Sequence, residues 1–297
     1  MREVMHGIEL VDPYHWLEDA DSPETRAWIA AQNNYTRSYL DVLPFRDRMR
    51  ARIGEILIHD SIGAPIQRRG DYFFLKRGAE QDLWSAYRRT GIGGQDELLI
   101  DPHEMSIDHS VSIGTIAPSE DARLLAYGIR HGGEDETELR LLDVSKRRDL
   151  PDRLPRGLYQ SISWKIDGSG FYYSLARRGL GRRIYFHALG TDAASDPEIF
   201  GEGYRPENGI FPHASEDGNY LLAMVWWGWL KVELHIQDLR DARPFRPLVS
   251  GIDATFYPPC RTFPSEAGHR HRRAASSPPC WNRFSAERDR IGRNAVV

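Results

Sequence analysis

Ala214-Ser215-Glu216-Asp217-Gly218-Asn219-Tyr220-Leu221-Leu222-Ala223 runs from an aspartate-glycine turn straight into an apolar stretch, and the strand-like Val232-Glu233-Leu234-His235-Ile236-Gln237-Asp238-Leu239 follows. The same order occurs twice earlier. Pro118-Ser119-Glu120-Asp121 leads into Leu124-Leu125-Ala126-Tyr127 and then Glu138 to Asp143, and Trp164-Lys165-Ile166-Asp167-Gly168 leads into Phe171-Tyr172-Tyr173 and then Arg183 to Leu189. The anchors Asp121, Asp167 and Asp217 stand 46 and 50 residues apart. Several strands recurring every 40–50 residues or so are the pattern of a β-propeller blade. Such a turn reverses the chain, the next run is an inner strand, and each small sheet is apolar on both faces and covered by its neighbours. With the runs Tyr72–Leu75, Leu83–Tyr87 and Leu98–Ile100 counted as one more unit, the sequence predicts an all-β fold over this region. It is a partial β-propeller of about four blades.

Upstream the period changes. Asp21 or Ser22 can cap a helix with Pro23 and Glu24 in its first turn, and Trp28, Ala31, Tyr35 and Tyr39 form one apolar stripe at spacings of three and four. A second helix, starting at Pro44, carries Phe45, Met49, Ile53, Ile56 and Leu57 on one face. The expected divisions are an N-terminal helical arm at 1–65, the partial propeller at 66–257, and an irregular Arg/Pro-rich tail at 258–297.

The 297 residues carry a net charge of −4, but the tail holds eight arginines against Glu266, Glu287 and Asp289, which makes it +5 and the rest −9. An acidic body argues against a nucleic-acid-binding surface. No apolar run reaches the roughly 18–20 residues of a membrane span, and no signal peptide is read at the start. The expectation is a cytoplasmic protein with no membrane or nucleic-acid partner. Cys260 and Cys280, both in the tail, make neither a zinc site nor a disulfide framework.

No Gly-x-Ser-x-Gly elbow occurs, so no catalytic residue is assigned. No metal ligand and no cofactor is expected either. His269-x-His271 has no carboxylate or thiolate partner nearby, Gly179-Leu180-Gly181 lacks the third glycine of a dinucleotide loop and reads as a hairpin turn, and the basic pairs at 146–148, 177–178 and 182–183 read as solvated turns. Trp226-Trp227-Gly228-Trp229 is expected to pack between blades rather than to line a chamber.

Asp12-Pro13-Tyr14-His15-Trp16-Leu17-Glu18-Asp19, Ser22-Pro23-Glu24-Thr25, Ala31-Gln32-Asn33, Asp71-Tyr72-Phe73-Phe74, Leu99-Ile100-Asp101-Pro102, Ser119-Glu120-Asp121, Ala126-Tyr127-Gly128 and Tyr185-Phe186-His187-Ala188-Leu189-Gly190-Thr191-Asp192 follow in order. In this combination the chain resembles the N-terminal region of the prolyl oligopeptidase family of serine peptidases. The resemblance implies a seven-bladed propeller above an α/β-hydrolase domain, with the N-terminal helices packed on that domain; Asp12, Tyr14, Trp16 and Glu18 read as structural anchors of the arm. It also implies short proline-containing peptides as substrates of the intact enzyme, and a serine, histidine and aspartate supplied by a C-terminal hydrolase domain or its separate chain. Tyr159 stands where such a propeller sends an aromatic toward bound peptide, although a buried core tyrosine is the competing reading. The tail departs from the pattern, as a shifted reading frame or a divergent extension would. The expected function is the substrate-gating part of such a peptidase, inactive alone; the alternative is a free-standing peptide- or protein-binding module.

Overall fold

The computed structural model describes residues 2–177, 180–241 and 243–256. The expectations for the tail, with Cys260, Cys280, His269 and His271, lie outside the described residues, as do Arg178 and Gly179. The chain forms two compact units, the first comprising residues 1–61 with 78–81 and the second the remainder.

In the first unit, the hairpin β1 (Arg2–Met5) and β2 (Ile8–Val11) precedes two helices, α1 (Pro23–Leu40) and α2 (Arg46–Leu57). Of the two possible caps it is Ser22 that closes α1, its Oγ accepting from Thr25 N at 3.1 Å, with Pro23 in the first turn where its missing N–H costs nothing. Thr25 Oγ1 also donates to Trp16 O at 3.1 Å, and Trp16 meets Trp28 edge to face at 6.3 Å, which ties the 12–18 segment to the helix. The second helix begins two residues later than its proline predicts, with Phe45 at the cap position and no side-chain cap.

β3 (Ser61–Ile62) stands where the chain passes from one unit to the other. The second unit then holds four antiparallel sheets in chain order. The first is β4 (Ile66–Arg68), β5 (Asp71–Arg77), β6 (Ser85–Thr90) and β7 (Asp96–Ile100). β8 (Val111–Pro118), β9 (Leu124–His131) and β10 (Thr137–Asp143) come next, followed by the long β11 (Arg148–Trp164). The start of β11 pairs with β10 and its end with β12 (Gly170–Arg177), so one strand closes the second sheet and opens the third. β13 (Gly181–Ala188) and β14 (Glu198–Phe200) complete the third. β15 (Gly209–Ala214), β16 (Tyr220–Trp226), β17 (Val232–Asp238) and β18 (Arg246–Val249) make the fourth. These are the partial-propeller blades that the repeat predicts.

Side-chain alternation along each strand builds the cores between sheets. Phe73, Ala86 and Ile100 of the first sheet meet Leu125, Tyr127 and Ile129 of the second. Phe171 and Tyr173 point back to Leu139, Leu141 and Leu154, whereas Tyr172 between them points forward to Leu221, Ala223 and Val225. Trp164 Nε1 crosses from the third sheet to donate to Ala117 O at 2.9 Å. The expectation of apolar faces throughout needs one correction. On the first sheet's far face, Phe74 and Tyr87 stack at 6.0 Å beneath Lys76 and Arg89, which share Asp96 at 2.9 and 2.5 Å. Cations over aromatic rings make this face polar at its surface.

The turns that carry the repeat are built alike. Ser119 Oγ donates to Asp121 (2.7 Å) and accepts from Leu124 N (3.0 Å), and Ser215 does the same with Asp217 (2.6 Å) and Tyr220 N (2.9 Å). Successive turns lie side by side, since a Cβ on Gly168 would sit 3.8 Å from Asp121 Oδ2 and one on Gly218, at φ +72, would sit 2.3 Å from Ile166. Ser119→Ala should therefore lower stability by about 1–2 kcal/mol, read as a fall in the urea midpoint. In the middle turn, hydrogen bonds from Ser169 N–H and then Ser169 Oγ hold the Asp167 carboxyl down to about 2 from its ordinary 3.8. A lowered folded value stabilises above 3.8, and the contribution is lost as pH falls through 2. The Asp167 carboxyl should titrate by NMR with a midpoint near 2; a midpoint near 3.8 would refute the turn geometry.

Candidate functional site

Ser85, Asp101 and His103 are the residue types of a serine-hydrolase triad, but they are joined in the wrong order. Ser85 Oγ reaches Asp101 at 3.4 Å rather than the imidazole, His103 Nδ1 takes Asp101 at 2.6 Å, and Ser85 is fully buried. Among the described residues no imidazole faces the hydroxyl, so this arrangement is not a catalytic triad. A second histidine, His187, is fully buried with Nδ1 3.0 Å from Asp196 and Nε2 3.3 Å from Asp152. Tyr173 donates to Asp196 at 2.9 Å and the Gly190 N–H to Asp152. Asp152 lies on β11, His187 on β13, and Asp196 in the connection to β14, so the network ties these strands together. It has no opening to substrate, and its role is structural.

Tyr159 is 8% exposed, its ring 5.7 Å from Tyr173 and its hydroxyl donated to Pro155 O of the same strand. Burial, then the Asp196 charge, pushes its phenol up. The aromatic run at the β16–β17 turn packs only in part, against expectation. Trp226 meets Phe211 and Trp227 meets Tyr204 edge to face at 5.7 and 5.9 Å, while Trp229 is 88% and Leu230 82% exposed. The reason is position, since Trp229 and Leu230 lie in the turn beyond both strands, where no described sheet reaches.

The pair 182–183 is not the expected solvated turn, since both arginines lie on β13 and Arg183 is buried; the other sequence signals resolve into local contacts. Gly181 opens β13 at φ +71 as a hairpin residue. Lys146 pairs with Asp143 at 3.0 Å, Arg147 with Glu97, and Arg177 lies over Tyr185 at 4.6 Å. A cavity of about 710 Å³ opens beside Arg183, Phe200, Gln237 and Phe245, but its lining arginine is already paired, with Glu198 at 3.3 Å. Asp12, His15 and Glu18 bring their ligand atoms within 4.8 Å of one another on the surface, and Asp12 Oδ1 already accepts from Tyr14 N.

The largest candidate surface belongs to the first unit. Thr25 is the one buried residue in α1 and α2, while Trp28, Tyr35, Tyr39, Met49, Ile53 and Ile56 are exposed. Every residue of β1 and β2 is exposed too. The apolar stripe that the helical spacing predicts is present, and among the described residues of the unit Trp16 covers only its Trp28 end. Monomers seldom leave so much apolar surface bare, and such patches mark interaction sites.

Residues 1–258 match the family described as prolyl oligopeptidase, N-terminal beta-propeller domain. A prolyl endopeptidase of Elizabethkingia meningoseptica is 29% identical over 257 residues, 84% of this chain and 36% of the relative. An uncharacterized peptidase, y4sO, of Sinorhizobium fredii is 30% identical over 231 residues, 75% of this chain and 31% of the relative. A solved prolyl endopeptidase superposes with a TM-score of 0.72 at 30% identity, over 85% of this chain and 39% of that one. Prolyl oligopeptidase B from Galerina marginata, at 21% identity and a TM-score of 0.66, shares the fold over 82% of this chain and 38% of its own. The chain thus spans about a third of the length of its curated relatives.

Proposed function

Because the chain belongs to the prolyl oligopeptidase family, through that family's N-terminal β-propeller domain, we propose that it is the substrate-gating part of a serine endopeptidase. Its substrates are short peptides cut after proline. In this reading residues 1–65 are a docking arm, 66–257 a partial propeller and 258–297 a tail, and the catalytic serine, histidine and aspartate are supplied from outside this sequence. A cytoplasmic setting belongs to the same proposal; no described helix is long and apolar enough to cross a membrane.

The uncovered apolar surface of the first unit carries the reading. A two-stranded hairpin is marginal by itself in water, and helices of 18 and 12 residues gain most of their stability from packing. Both ask for a partner, and a catalytic portion would supply it. The purified chain should not cleave a proline reporter peptide. Cleavage that a serine-directed inhibitor blocks would overturn the assignment. A chamber role for Tyr159 is testable in an enzyme completed with a catalytic portion. There Tyr159→Phe should raise KM with little change in melting temperature, and an unchanged KM would leave the residue to the core.

The exposed Trp229 and Leu230 favour one second reading, a free-standing module that binds a peptide or protein through this turn. Such a module should melt cooperatively as a defined species on its own. A gating fragment should self-associate until its arm is covered.

A further inference from the structure

We propose that Asp82, His103 and His109 form a binding site for one divalent transition-metal ion of the zinc, cobalt or nickel class. They come from three separate stretches of the second unit. Asp82 lies between β5 and β6, His103 in the short helical turn Pro102–Glu104 that follows β7, and His109 in the loop before β8, with a left-handed backbone at φ 54.

The orientation of His103 is the central observation. Its Nδ1 is 2.6 Å from Asp101 Oδ1, an oxygen that also accepts from His103 N at 3.0 Å and from Ser85 Oγ at 3.4 Å. In the tautomer that donates Nδ1–H to that carboxylate, the Nε2 lone pair points the other way. Nε2 is shut off from solvent, makes no hydrogen bond, and faces Asp82 Oδ1 at 3.4 Å. A cation placed between these two donors would satisfy both. His109 Nδ1 approaches the same carboxylate at 3.0 Å, and the two imidazoles meet edge to face at 5.1 Å.

An ion at about 2.0–2.2 Å from each of an imidazole nitrogen and a carboxylate oxygen holds those atoms roughly 3.0–3.5 Å apart. Both nitrogen–oxygen pairs here have that separation. A histidine that ligates a metal almost always gives its other N–H to a carboxylate or carbonyl, which is what Asp101 provides. The nitrogens face Asp82 rather than each other, so closing on an ion asks His109, with 40% of its side chain exposed, to swing toward His103. Two imidazoles and one carboxylate suit zinc, cobalt or nickel; calcium and magnesium prefer oxygen donors throughout. The inference concerns binding alone and does not depend on the peptidase reading.

The test is titration calorimetry of the full chain with Zn²⁺ and Co²⁺ at neutral pH, against His109→Ala and Asp82→Asn, whose side chains are exposed enough to be replaced without loss of fold. His15→Ala and the paired His269→Ala/His271→Ala serve as controls for the other candidate ligands. One equivalent should bind, tenfold or more weaker in either site variant and unchanged in the controls. Asp101→Asn should weaken it by roughly 10–100-fold through the imidazole it orients. Two coordinated nitrogens should appear in the Cu²⁺ EPR spectrum. No binding by the parent chain, full affinity in Asp82→Asn or His109→Ala, or loss in a control would overturn the proposal.

Discussion

His187→Leu should destabilise the protein by about 3–5 kcal/mol, the cost of removing one partner from a buried charged network. The side chains of Asp152 and Asp196 are 4% and 2% exposed, and each lies within 3.3 Å of an imidazole nitrogen. Leucine fills much of the same space, so packing loss contributes little. The penalty comes from two buried carboxylates that each lose a polar neighbour. Tyr173 and the Gly190 N–H would still serve one oxygen each, which is why the cost is not larger. Urea unfolding followed by tryptophan fluorescence measures it. His187→Gln, which keeps a donor for one carboxylate, should recover part of the loss. A cost below about 1 kcal/mol for leucine would mean that the aspartates do not depend on His187.

Gly181→Ala should be nearly as damaging, at about 3 kcal/mol or more. Two independent penalties add at this position. The backbone sits at φ +71, where any L side chain costs roughly 1–2 kcal/mol. The new Cβ would also lie 2.4 Å from Pro206 Cα, backbone of the crossover between the third and fourth sheets, and forced overpacking costs roughly 1–3 kcal/mol more. Gly203→Ala is the internal control, because its φ is +84 but nothing lies within 4 Å of the added methyl. The control should show the backbone penalty alone. Equal losses for the two variants would remove the close contact from the account.

The residues that carried the most information at the level of sequence are those whose partners are near in the chain. Ser22 reaches Thr25, Ser119 reaches Asp121 and Leu124, and Ser215 reaches Asp217 and Tyr220. A cap or a turn is closed within five residues, so its residue types announce it. The apolar periodicity of Trp28, Tyr35 and Tyr39 likewise reports a helix face, yet it says nothing of what covers the face. Trp229 departs from the expected packing for the same reason, since composition cannot tell a strand end that a neighbour covers from a turn that projects beyond it.

The sequence by itself thus determined the helical arm, the order of strands and the recurring blade, because hydrogen bonding within a turn and the alternation of a strand are local. It also determined the family, through motifs spread over the first 258 residues. Only the tertiary structure brought His187 between Asp152 and Asp196, 35 and 9 residues away, and set Gly181 against Pro206. It alone gathered Asp82, His103 and His109 from three loops. Contacts of this kind depend on how sheets stack, which no short stretch of chain encodes.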